Sequence, residues 1–123
     1  MKHSEGFLKL VDDAKGRIRE VTVAETQARL EQKPNAKLID VREDNEWQAG
    51  HAVGAEHLGK GIIERDIETQ VPDKSIELIL YCGGGYRSAL AADVLQRMGY
   101  ANVFSMAGGW KAWKEAGAPT EGS

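Results

Sequence analysis

Between Ile76 and Met98 the chain reads IELILYCGGGYRSALAADVLQRM, and this stretch constrains the rest. The apolar run from Ile76 to Tyr81 is broken only by Glu77. Bounded by the turn-forming Pro72-Asp73-Lys74-Ser75 and by glycines, it predicts a buried strand. The only cysteine, Cys82, follows at once, and then Gly83, Gly84, Gly85, Tyr86, Arg87 and Ser88. From Arg87 onward, Leu90, Val94, Leu95 and Met98 recur at helical spacing, and Gly99 stands where a helix ends. The unit is a strand, a tight glycine loop and a helix, with a thiol where strand gives way to loop.

Such a unit is suited to making and holding an anion. Consecutive glycines turn their amides inward without a steric cost from Cβ. Inward amides form an anion-binding nest, to which the helix N-terminus adds partial positive charge. Arg87 adds a permanent cation. All three terms favour thiolate over thiol, and the thiolate is the nucleophile.

The remaining composition narrows the class. A chain of 123 residues makes one domain with a single core. A net charge of −3 without a basic run argues against nucleic acid and anionic membrane as partners. No apolar stretch approaches a membrane span, and MKHSEGFLKLVDD is too charged for a signal peptide, so a cytoplasmic location is expected. A single cysteine excludes an internal disulfide and fits a reducing compartment. No metal is expected, because His3, His51 and His57 lack ligand spacing and only one thiol is available.

Along the chain, Phe7, Val11, Ala14 and Ile18 predict an amphipathic helix over residues 4–15, with Ser4 as N-cap and Gly16 as stop. Its expected role is packing against the domain surface. Residues 19–22 predict an edge strand, and Thr22 with Glu25 a capping box opening a helix to Gln32. Lys37 to Val41 predicts a second strand. In a parallel sheet, where strand ends share one edge, Asp40 and Arg42 would lie on the edge that carries Cys82. An ion pair pinning loops is the favoured reading for them over contact with substrate. Glu43 to Ala49 predicts a short helix with Trp47 over the core, and His51 a loop hydrogen bond, not a catalytic base. Short strands at 56–58 and 102–105, a helix at 62–71, and a last helix carrying core residues Trp110 and Trp113 complete the pattern. Alternating short strands and helices imply an α/β chain with a parallel sheet covered on both faces.

Cys82-Gly83-Gly84-Gly85-Tyr86-Arg87-Ser88 resembles the active-site loop of single-domain rhodaneses, sulfurtransferases that carry sulfur as a cysteine persulfide. Asp40-Val41-Arg42-Glu43 with Glu46, Trp47, Gly50, His51, Gly54 and Ala55 resembles the family's N-terminal signature, although Val53 stands where a proline is common. Gly108-Gly109-Trp110 with Trp113 resembles its C-terminal one. The resemblance implies an α/β/α sandwich with a central five-stranded, mostly parallel sheet. It also implies Cys82 as nucleophile, residues 83–88 as the substrate and anion cradle, Asp40 and Arg42 as supporting residues, and no metal or organic cofactor. Residues 19–118 would form the domain, 1–18 a helical extension and 119–123 a flexible tail. Expected partners are small sulfur donors and thiophilic acceptors, including a protein sulfur acceptor, with the chain a monomer or homodimer.

Two other readings compete. Phosphatases with a cysteine nucleophile have one more residue between Cys and Arg, and the four here leave a cradle suited to sulfur and tight for a phosphoryl group. A sulfur-carrier module with little turnover of its own would use the same cysteine chemistry. Arg87 is the only cation in the loop, whereas thiosulfate-using relatives carry more, so thiosulfate is expected to be a poor donor.

Overall fold

The computed structural model describes residues 3–122. Five strands form one parallel sheet: β1 (Arg19–Val21), β2 (Lys37–Asp40), β4 (Glu56–His57), β5 (Leu78–Tyr81) and β6 (Val103–Met106), in the order β1-β6-β5-β2-β4. β5 is the central strand, which explains its unbroken apolar sequence: Leu78, Ile79, Leu80 and Tyr81 are all fully buried. Their side chains alternate between two cores. Leu78 and Leu80 pack with Ile39, Ile63, Ile67 and Leu95, while Ile79 and Tyr81 pack with Leu38, Phe104, Met106 and Trp113.

Helices α4 (Ile63–Gln70) and α5 (Tyr86–Arg97) cover the first face, and α2 (Val23–Gln32) and α6 (Gly109–Glu115) the second. The capping box that opens α2 is formed: Glu25 N donates to Thr22 Oγ1 at 3.1 Å and Thr22 N to Glu25 Oε1 at 2.8 Å. Helix α3 (Asp44–Ala49) lies between β2 and a second, two-stranded sheet, in which β3 (His51–Ala52) pairs antiparallel with β7 (Thr120–Glu121). That pairing departs from the flexible tail expected over 119–123. The Pro119 carbonyl accepts from Trp113 Nε1 at 2.8 Å and from Val53 N at 3.1 Å, which draws the chain end against β3. Ser123 lies outside the described residues, as do Met1 and Lys2 of the expected extension. Among the described residues no helix is long and apolar enough to cross a membrane.

Helix α1 (Glu5–Lys15) packs on α5 through buried Val11 and Ala14. Ser4 stands at its N-cap position without a side-chain bond. Beyond its end, Arg17 donates twice to Asp93 of α5, at 3.0 and 2.8 Å. This guanidinium holds the Asp93 carboxyl below the usual carboxylate range. A lowered folded value means the contribution is present above about pH 4 and is lost as pH falls through that lowered value. Asp93→Asn is therefore expected to lower stability by about 1 kcal/mol at pH 7, because Arg17 is partly exposed, and by much less at pH 3. Thermal melts of both proteins at the two pH values check the sign.

Candidate active site

The central strand delivers Cys82 to the carboxyl edge of the sheet, where the chain turns sharply into α5. Gly85 makes the turn with φ +99°, and a Cβ there would stand 3.3 Å from the Gly108 nitrogen. The turn directs two amides at the sulfur: Gly85 N donates to Cys82 Sγ at 3.1 Å and Ser88 N at 3.4 Å. Ser88 belongs to the first turn of α5, whose amides lack helical partners and are free to serve an anion.

A hydroxyl relay lies behind the sulfur. Ser88 Oγ is 3.5 Å from Cys82 Sγ and 2.8 Å from Ser105 Oγ, and both serines are fully buried. With the thiol protonated, S–H donates to Ser88. With the thiolate, the Ser88 hydroxyl rotates to donate to sulfur while accepting from Ser105. Ser105 escaped sequence reasoning. Its signal is a serine inside the otherwise apolar strand VFSM, a buried polar group that requires a partner.

The loop carbonyls are tied on the opposite side. Trp110 N donates to Cys82 O at 2.7 Å and Lys111 N to Gly83 O at 3.2 Å, so the start of α6 holds the peptide planes with their carbonyls turned away from the sulfur. This close approach needs a glycine at 109.

Arg87 is placed differently from a free donor-binding cation. Its guanidinium makes a two-pronged contact with Glu46 of α3, at 2.8 and 3.1 Å. Glu46 raises the Arg87 pKa further above its ordinary value, and Arg87 holds the Glu46 carboxyl below its own. Part of the arginine's charge is thereby spent on a neighbouring carboxylate. Glu46 stood in the sequence as a signature residue with no assigned role.

Asp40 and Arg42 occupy the same sheet edge but do not line the cavity above Cys82. They form a buried pair: Asp40 accepts from Arg42 Nε at 3.0 Å and from Nη2 at 2.8 Å, and Nη2 also reaches Gly50 O at 2.7 Å. The Arg42 guanidinium lies over the Trp110 ring at 4.8 Å. His51 bonds through Nδ1 to Trp47 O at 3.0 Å, stacks on the Trp47 ring and does not line the cavity above Cys82.

Above the thiol is an open cavity of about 740 Å³. Cys82, Gly83 and Gly84 form its floor, Glu46 and Arg87 one side, and Lys111 part of the rim. Tyr86 lines it together with His3 and Phe7 from the N-terminal segment, two residues the sequence reading assigned no site role. Among the described residues no cluster of three or more His, Cys, Asp or Glu side chains is placed to hold a metal ion.

The family model of the rhodanese-like domain matches residues 22–116. The chain belongs to the rhodanese-like domain family. This rhodanese-like domain is 34% identical over 103 residues to the thiosulfate sulfurtransferase GlpE of Vibrio cholerae, covering 84% of this chain and 94% of that protein. It is 36% identical over 78 residues to the uncharacterized protein YqhL of Bacillus subtilis, covering 63% of this chain and only 60% of that protein. Among solved structures it resembles a Rhodopseudomonas palustris protein of unknown function and possible tyrosine phosphatase, with a TM-score of 0.83, 30% identity and 98% of each chain covered. The family match leaves α1 outside it.

Proposed function

We propose that this rhodanese-like domain is a sulfurtransferase that moves a sulfane sulfur through a persulfide on Cys82. The observation that carries the reading is the sulfur itself, held by the Gly85 and Ser88 amides at the floor of an open cavity. In the first step the Cys82 thiolate attacks the outer sulfur of a donor R–S–SH. The new S–S bond forms as the old one breaks, the electron pair leaves on R–S⁻, and Cys82 becomes Cys82–S–SH. An acceptor thiolate then attacks the outer sulfur and returns Cys82 as thiolate. One hard transfer is split into two displacements, with no net oxidation. The amides and the Ser88 hydroxyl stabilise the sulfur anion at each end of the cycle. The cycle consumes acceptor thiols, and a reducing, cytoplasmic compartment supplies them.

The similarity to GlpE supports the class of reaction. The possible phosphatase among the similar structures raises the rival reading, and the four-residue spacing from Cys82 to Arg87 together with the Arg87–Glu46 pair favours sulfur. A free arginine head is what a phosphoryl dianion would need. An aryl phosphate assay is expected to show no Cys82-dependent release of phosphate; Cys82-dependent release would reverse the ranking.

The same pair bears on the donor. With its charge compensated by Glu46, Arg87 attracts a dianion such as thiosulfate weakly, and persulfides or polysulfides are the favoured donors. Glu46→Gln is expected to raise kcat/KM for thiosulfate about fivefold, the scale of roughly 1 kcal/mol for one partly screened charge. A loss of activity with every donor would instead make Glu46 a brace for Arg87.

A further inference from the structure

The helix outside the family match reaches into the site. Phe7, Val11 and Ala14 lie on one stripe of α1, at spacings of four and three. Val11 and Ala14 are buried on α5, but Phe7 remains half-buried, because the stripe runs past the start of α5 and out over the cavity. Phe7 meets the Tyr86 ring at 6.2 Å, and His3 packs edge-on to Tyr86 at 4.5 Å. These three rings make one side of the cavity aromatic. On the charged side, Arg87 is engaged by Glu46. Lys111, exposed on the rim, has no carboxylate within ion-pair distance among the described residues.

A small inorganic dianion would leave that aromatic wall uncovered and most of the volume empty. Pockets of this size and lining hold an organic body with one or two polar anchors. Resting on the sulfurtransferase reading above, we infer that the donor is a low-molecular-weight organic persulfide, its carbon part lying on Phe7, His3 and Tyr86 and a carboxylate of its own meeting Lys111. The Cys82 thiolate takes the outer sulfur of this donor, and the S–S bond breaks with R–S⁻ as leaving group. Helix α1 thus sets the specificity for R, while Cys82 and its loop perform the displacement.

The test uses benzyl persulfide, methyl persulfide and 4-carboxybenzyl persulfide with the full chain. Wild type is expected to prefer benzyl over methyl, and 4-carboxybenzyl over benzyl. Phe7→Ala should lower the benzyl-to-methyl ratio of kcat/KM about tenfold, the scale for a lost apolar contact in a pocket. His3→Ala, which removes a ring near the chain start, should move the ratio the same way and serves if Phe7→Ala folds poorly. Lys111→Gln should remove the preference for 4-carboxybenzyl. Equal falls for all donors, or no benzyl preference in wild type, would overturn the inference. Intact mass after methyl persulfide separates the two levels: sulfur gained on Cys82 without benzyl preference sinks only the aromatic wall, and no sulfur gained from any donor sinks the sulfurtransferase reading with it.

Discussion

Cys82→Ser is expected to abolish sulfur transfer to any acceptor while leaving the fold intact. A serine hydroxyl fits the same cradle, but it cannot form a persulfide, and its proton is held far too tightly for two amides and a compensated arginine to release at neutral pH. No second cysteine exists in the chain to take over. The Gly85 and Ser88 amides, which now bond to Cys82 Sγ, can instead bond to the serine oxygen. The Ser88–Ser105 relay gains a better donor and acceptor than sulfur. Stability should therefore change by only about 1 kcal/mol, the usual scale for one altered hydrogen-bonded contact. Steady-state transfer from a persulfide donor and a urea melt check the two halves separately. Residual turnover above background would remove Cys82 from the reaction, and global unfolding would show that its thiol is a structural element of the core.

Gly109→Ala should damage both stability and activity from a position that does not line the cavity. Gly109 has φ +53°, and an added Cβ would stand 2.3 Å from the Cys82 carbonyl oxygen and 2.9 Å from the Gly83 carbonyl carbon. Both obstacles are backbone, so no side chain can swing aside. Either α6 retreats, breaking the bonds from Trp110 N to Cys82 O and Lys111 N to Gly83 O, or the loop shifts and its amides leave the sulfur. The left-handed backbone with a Cβ and the overpacking together are expected to cost about 3 kcal/mol. A displacement of about 1 Å at the nucleophile is expected to lower kcat on the order of 100-fold. Melting and single-turnover kinetics on the purified variant measure these. Wild-type turnover would mean that α6 does not position the loop.

Much of this architecture is legible in the residues because local and global preferences agree. The apolar run from Ile76 to Tyr81, broken only by Glu77, predicts a buried strand, and β5 is the central one. The Thr22–Glu25 spacing predicts a cap, and both its bonds form. The glycine loop after a thiol predicts amides turned toward sulfur, and two of them are. What eluded sequence reasoning depends on which distant residues meet. Nothing local to Arg87 announces that its head lies on Glu46, 41 positions away. Ser105 reads as an interruption of a strand until its register beside β5 sets it next to Ser88. Phe7 carries the same helical pattern as the core residues Val11 and Ala14, and only the point where α5 begins leaves it facing the cavity. A flexible tail is expected over 119–123, yet a single indole N–H and the edge of β3 hold Pro119, Thr120 and Glu121.

The central claim is that Cys82 carries the transferred sulfur covalently. Protein freed of bound sulfur with cyanide, incubated with a persulfide donor and stripped of small molecules, should show an intact mass increased by one sulfur atom. The added sulfur should map to Cys82 and disappear when an acceptor thiol or cyanide is added. Continued turnover of donor with an unchanged protein mass throughout would contradict the account.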